Sequence, residues 1–321
     1  MKKKVLLFLC VICLAGLFSC KANSAKSSGH SGSYAKAISF TDDMGREVTI
    51  TEEPQNVAVL FSSFAQLWQI AGGEVAITVG ESVERGFVSS DILLVDNGAG
   101  KTINTELLLA SKPDFIIGSA DITSHVAGAQ LLSELDIPVA LFSLESFDDY
   151  LRILNILTDI TDNKEAYMAK GENLKTEIEA LLSSADAEYW QGKKVLFVRA
   201  GSTSSSTKAK GQKDHFVCEM LYELGCVNIA DKAPILLDGL SMETILSEDP
   251  DYIFFSLMGN EENALDNVHR LLKDEVWQGL SAVKNSRVVI LDRELFHYKP
   301  NDRWADAYRY LVELKGFGNE T

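Results

Sequence analysis

Asn104-Thr105-Glu106-Leu107-Leu108-Leu109-Ala110-Ser111-Lys112-Pro113-Asp114-Phe115-Ile116-Ile117 and Ser241-Met242-Glu243-Thr244-Ile245-Leu246-Ser247-Glu248-Asp249-Pro250-Asp251-Tyr252-Ile253-Phe254 are two copies of one pattern. Each copy opens on a polar cap and places a glutamate two residues on. A short apolar helix follows, then Pro-Asp and an apolar strand. The proline stops the helix and frees the chain to extend. One copy is a weak signal. Two copies predict that separate blocks of the chain share an αβ unit.

The surroundings of each copy carry the same rhythm. A strand pair with Asp42-Asp43-Met44-Gly45-Arg46 at its turn is expected over 37–51. Short apolar strands follow at 57–60, 76–80, 115–117 and 139–142, with helices at 64–71, 107–110 and 124–135. After the middle of the chain, strands return at 194–198, 252–255 and 288–291, with helices at 214–224 and 302–315. Strands that are apolar throughout and alternate with helices indicate parallel sheet covered on both faces. Between the blocks, 148–159 and 164–183 read as helices, the second capped by Asn163 and about 30 Å long at 1.5 Å per residue. The expected fold class is therefore α/β: an N-terminal lobe over 37–146, a helical connector over 147–185 and a C-terminal lobe over 186–321. The polar segment 201–211 is expected to be surface loop, mobile or functional.

The N-terminus carries a different signal. Lys2, Lys3 and Lys4 precede an apolar run over 5–18, the layout of an export signal. That run is shorter than the roughly 20 residues that cross a bilayer. It ends Leu17-Phe18-Ser19-Cys20, and a small, polar, Ser/Gly-rich tether fills 20–36. This resembles a bacterial lipobox, although Phe18 is bulkier than the usual residue there. The resemblance implies cleavage of a 1–19 signal, a lipid on Cys20 and attachment to a membrane. The other reading is an ordinary secretory signal in which Cys20 is incidental.

Losing residues 1–19 removes three lysines and takes the formal charge from −16 to −19. So acidic a chain argues against a nucleic-acid partner and against adhesion to anionic lipid. Cys218 and Cys226 are expected as buried thiols, and no Cys/His cluster suggests a resident metal. The histidines at 30, 125, 215, 269 and 297 are too scattered for a zinc or manganese site. Gly98-Ala99-Gly100-Lys101-Thr102 echoes a phosphate loop, but Val95 stands where its earlier glycine belongs. No Gly-x-Ser-x-Gly and no nucleophile with a base is present, so no enzyme is expected.

In this order, the segments 54–60, 72–73, 104–114, 242–251 and 277–289 are similar to the class III solute-binding proteins of ABC importers. These serve ferric siderophores, haem and vitamin B12. The resemblance covers 38–317 and implies two Rossmann-like lobes with mostly parallel sheets, joined by one long helix. It also implies an extracytoplasmic monomer, little lobe movement and delivery to an ABC permease with its ATPase. No intrinsic cofactor is expected; the transported ligand is a ferric siderophore, haem or corrinoid. By the same resemblance Glu106 and Glu243 dock the permease. Taken alone, each glutamate could merely favour its helix N-terminus.

Candidate ligand contacts follow strand ends, where open α/β sheets bind. Ser62 and Ser63 follow the first lobe strand, or else cap the next helix. Glu81 and Arg85 follow the second strand, as ligand contacts or loop surface. Phe296-His297-Tyr298-Lys299-Pro300-Asn301-Asp302-Arg303-Trp304 gathers aromatics, an imidazole and cations. His297, Tyr298, Lys299 and Arg303 are candidates there, with His297 or Tyr298 able to ligate haem iron, while Trp304 reads as core. Arg199 and Lys208 or Lys210 could add positive charge. Two rivals stand beside import of these ligands: a sensor that binds solute without import, and an importer component for another chelate.

Overall fold

A computed structural model describes residues 37–97 and 102–315. The signal, Cys20, the tether and most of the phosphate-loop echo lie outside the described residues.

A hairpin of β1 (Ile38–Thr41) and β2 (Glu47–Ile50) precedes the first lobe. Gly45, at φ 74°, supplies its turn. Five strands follow: β3 (Val57–Val59), β4 (Ile77–Thr78), β5 (Leu93–Leu94), β6 (Phe115–Ser119) and β7 (Val139–Phe142). They form a wholly parallel sheet in the order β5-β4-β3-β6-β7. The second lobe contributes β8 (Lys194–Ala200), β9 (Lys208–Ala209), β10 (Val227–Asn228), β11 (Tyr252–Leu257) and β12 (Val288–Ile290). Here the order is β10-β8-β11-β12, all parallel, with β9 antiparallel to β8. Both sheets reverse their winding direction once, between β3 and β6 and between β8 and β11.

Alternation along the strands assigns the cores. Val57, Val59, Phe115, Ile117, Ala140 and Phe142 belong to one apolar cluster, while Ala58, Ile116 and Leu141 belong to another on the opposite face. In the second sheet Val195, Phe197, Tyr252 and Phe254 join the first cluster, and Leu196, Ile253 and Phe255 a third. The inner faces of the two sheets thus share one continuous core. Helices Phe147–Ile160, Asn173–Leu182, Phe216–Glu223 and Trp304–Glu313 contribute to it. Trp304, fully buried, stands edge-on to Phe147 and Phe216, with ring centroids 5.9 and 5.5 Å away.

The repeat has a structural purpose that its spelling conceals. Asp114 accepts from the Gln55 and Asn56 amides at 2.7 and 2.9 Å, tying the start of β6 to the start of β3. Asp251 accepts from the Lys194 amide at 2.9 Å and does the same for β11 and β8. Both helices end on a left-handed residue before the proline, Lys112 at φ 52° and Asp249 at φ 43°. The capping differs. Asn104 accepts from the Leu107 amide at 3.1 Å, whereas Ser241 makes no cap bond and its hydroxyl meets that of Thr244 at 3.1 Å.

Two expectations need correction. The helix foreseen as one piece over 164–183 runs Lys164–Tyr167, passes through a π turn at Met168–Glu172, and resumes at Asn173–Leu182. The π turn alters the carbonyl pairing, and the Tyr150 hydroxyl donates to the Lys170 carbonyl at 2.8 Å. The segment 201–211 is not plain surface loop either. Thr203 and Ser206 form a capping box, β9 pairs with β8, and Thr207 and Ala209 are buried. Thr207 and the Gly201 carbonyl both accept from the buried Asn267 amide, at 3.0 and 2.9 Å. Hydroxyls and main chain satisfied by one another allow a polar run to enter a fold without apolar residues.

Cys218 and Cys226 are buried and free. No helix of the described residues is long and apolar enough to cross a membrane.

Candidate functional site

The carboxyl ends of the strands bring most of the candidate residues together. Ser62 and Ser63 follow β3 at its sheet's reversal point, and Arg199 lies near the end of β8 at the other. Such reversal points open a crevice between diverging connections.

Neither serine is a cap. Phe61 holds that position, and Ser62 and Ser63 are the first residues of the helix Ser62–Ile70, fully buried. Arg85 Nη1 donates to both hydroxyls at 3.2 Å. The Ser62 hydroxyl also donates to the Glu81 carboxylate. Glu81 belongs to the helix Gly80–Glu84 and Arg85 closes it, so both depart from the loop-surface alternative.

Arg85 reaches across to the second lobe. Its guanidinium lies 3.9 Å from the Tyr298 ring centre and 4.5 Å from that of Phe87. Nη2 stands 3.9 Å from the Glu294 carboxylate, while the buried Nε has no hydrogen-bond partner. Its side chain is only 6 % exposed. Burial lowers the Arg85 pKa, opposed first by Glu294 and then by Glu81. A guanidinium keeps its proton under such a shift, so the result is a poorly solvated cation between aromatic faces.

A second crossing involves Lys299. Its ammonium pairs with the Glu145 carboxylate at 2.8 Å and lies 4.8 Å above the Phe216 ring. Burial depresses its pKa and Glu145 opposes the shift. Arg199 shows the same balance, with burial lowering its pKa and Glu145 opposing. Arg199 Nη2 stands 3.4 Å from His297 Nδ1, and its Nε is buried without a partner. Tyr298 packs edge-on to His297 and accepts from Arg293 Nε and Nη2 at 3.3 and 3.2 Å.

Two candidates stand apart from this group. Arg303 is half exposed and pairs with Asp306 at 3.2 Å, in the first turn of the helix that Arg303 caps. Lys208 is exposed on β9, directly opposite Arg199 in the antiparallel pair; it shares that residue's sheet face at the rim. The Lys210 carbonyl accepts from Asn228 at 2.8 Å. Glu106 and Glu243 are both exposed in the first turns of their helices, with Leu107 and Leu246 exposed beside them. No cluster of metal-ligating side chains occurs among the described residues.

Sequence reasoning missed Glu145, Phe87, Arg293 and Glu294. Glu145 follows β7 and Arg293–Glu294 follow β12, so the strand-end rule applied to every strand would have found three of the four. Phe87, in the turn beyond Arg85, carried no signal.

Comparison with known proteins places this architecture. Residues 57–295 match the model of the family described as periplasmic binding protein. The chain belongs to that family, whose members hold solutes rather than transform them. It is 24 % identical, over 95 % of both chains, to YhfQ of Bacillus subtilis (strain 168), provisionally named an ABC transporter substrate-binding lipoprotein. Among solved structures it is similar to the siderophore binding protein BauB, bound to ferric iron and two acinetobactin molecules. There the TM-score is 0.68 at 17 % identity, covering 88 % of this chain and 99 % of that one. It is also similar to the periplasmic vitamin B12 binding protein BtuF of Vibrio cholerae. That match has a TM-score of 0.67 at 20 % identity, covering 84 % and 99 %.

Proposed function

We propose that the protein is the extracytoplasmic capture component of an ABC importer, taking an iron-siderophore, haem or corrinoid between its lobes. Within that range the groove favours a chelate with free anionic oxygens. One observation carries this choice: Arg85 from the first lobe and Arg199 and Lys299 from the second are buried cations gathered at the strand ends. Poorly solvated cations favour an anionic partner over a neutral one. Ser62, Ser63, Arg85, Arg199, His297, Tyr298 and Lys299 would contact the ligand, with Glu81 orienting Ser62 and Arg85. Lys208 and Arg303 would act at the rim. Tyr298 already accepts from Arg293 and is covered by Arg85, so it suits stacking better than axial ligation of haem iron. The lobe boundaries at 146 and 186, the lipid on Cys20, the monomeric state and permease docking through Glu106 and Glu243 belong to the same proposal.

The test is a titration of the purified protein with ferric citrate, a ferric siderophore panel, haem and cyanocobalamin, followed by absorption and calorimetry. Saturable one-to-one binding of a ferric chelate with free carboxylates, and weak or no binding of cyanocobalamin, is expected. Preferential binding of cobalamin would overturn the anionic choice while leaving capture intact. No binding by any of them would overturn the ligand class.

A further inference from the structure

Glu145 is held differently from Asp42, Asp114 and Asp251. Asp42 accepts from the Met44, Arg46 and Leu141 amides at 3.0, 2.9 and 3.1 Å. Asp114 and Asp251 likewise accept from backbone amides. Each of these fixes main chain to main chain. Among the described residues no backbone amide holds the Glu145 carboxylate. Oε1 meets the Lys299 ammonium at 2.8 Å, and Oε2 is buried with no partner.

Its backbone is held separately. The Glu145 amide donates to Asp149 at 3.0 Å, and Ser146 caps the helix Phe147–Ile160 by accepting from the Asp149 amide at 3.1 Å. The side chain can therefore swing while the loop stays in place. It leaves the first lobe at the end of β7 and meets a cation of the second lobe, which is where an acidic group of a bound chelate would have to lie.

We infer that Glu145 is an intramolecular stand-in for an acidic arm of the ligand, holding Lys299 and facing Arg199 until a ligand oxygen replaces it. The inference rests on the anionic-chelate reading above. It makes Glu145 a specificity-determining residue: every anionic ligand must compete with a tethered carboxylate already in place, so weak single-arm acids are rejected. Chelates that reach Arg85 and Lys299 together gain enough contacts to displace it.

The experiment compares ferric citrate binding by the wild-type protein and by Glu145→Gln, which keeps the size and removes the charge. At least about tenfold tighter binding by E145Q is expected. Equal or weaker binding by E145Q, with the wild type still binding, would overturn the inference and leave the ligand class standing. Binding by E145Q alone supports the inference, whereas binding by neither overturns both. If E145Q does not fold, Glu145→Ala decides: acetate should compete with ferric citrate in E145A and not in the wild type. Absence of that competition would overturn the inference.

Discussion

Asn301 donates its side-chain amide to the Ser63 carbonyl at 2.8 Å and to Gln66 Oε1 at 2.8 Å. It thereby pins the segment carrying His297, Tyr298 and Lys299 to the first turn of a first-lobe helix. Asn301 is fully buried and sits at φ 52°, a left-handed conformation that asparagine tolerates better than most residues. One residue satisfies a backbone demand and a contact between the lobes at once.

Replacing it should show both roles. Asn301→Ala would leave a carbonyl and an amide oxygen buried without donors and is expected to cost about 2–3 kcal/mol. Urea unfolding would measure this. Asn301→Gly, which relieves the backbone but restores no donor, should be less damaging than the alanine. A loss below about 0.5 kcal/mol in N301A would mean the contact does not hold the segment.

Arg85 should matter to affinity more than to folding. Arg85→Ala is expected to weaken binding of an anionic ferric chelate at least about tenfold. Arg85→Lys should fail to restore it, because an ammonium cannot donate to both serines while lying flat between Phe87 and Tyr298. Calorimetric titration distinguishes the variants, and a fully active R85K would show that charge alone suffices.

Acid should destabilise the protein through its buried histidines. His125 accepts from the Ser119 amide at 3.1 Å, and burial lowers its pKa from 6.5 to about 4. His215 is shifted the same way, by burial first and then by Lys299. Both are neutral in the folded state, while the unfolded chain binds protons below pH 6.5. Stability is therefore complete above that pH and falls as the pH drops towards 4, by up to about 3 kcal/mol for His125. His125→Asn keeps an acceptor for Ser119 without the titration, and should flatten part of that slope in denaturation measured from pH 7 to pH 4. An unchanged slope would place the acid sensitivity elsewhere.

Reversing the charge of Glu106 and Glu243 together should abolish uptake of the ligand in cells and leave its affinity for the purified protein unchanged. Both side chains are exposed and far removed in role from the groove cations. Normal uptake by the double lysine variant would end the docking assignment.

The strands and helices were legible because each lobe buries its sheet on both faces. Val57–Val59 and the start of Phe115–Ser119 have no solvent side, so 57–59 and 115–117 read as short unbroken apolar runs. The π turn was not legible, since Met168–Glu172 has ordinary helix formers around a single glycine. The buried part of 201–211 was hidden because hydroxyls and main chain, not apolar side chains, settle it. At the site, single residues could be placed at strand ends, but not their partners. Lys299 was visible as a cation; its pairing with Glu145, remote in sequence and on the other lobe, was not. Arg85 read equally well as ligand contact or surface, and only the packing of Phe87 and Tyr298 around it decides that it is buried.

The apolar cluster between the sheets has a consequence for anyone who would cut the chain. Val57, Phe115 and Phe142 belong to the same buried cluster as Phe197, Tyr252 and Phe254. A gene fragment encoding either half alone would leave its part of this cluster without the other half. Such a fragment should aggregate or recruit its missing half instead of surviving as an independent module. Two co-expressed fragments divided between β7 and β8 should find each other, and a split reporter built on them would sense reassembly of the whole protein.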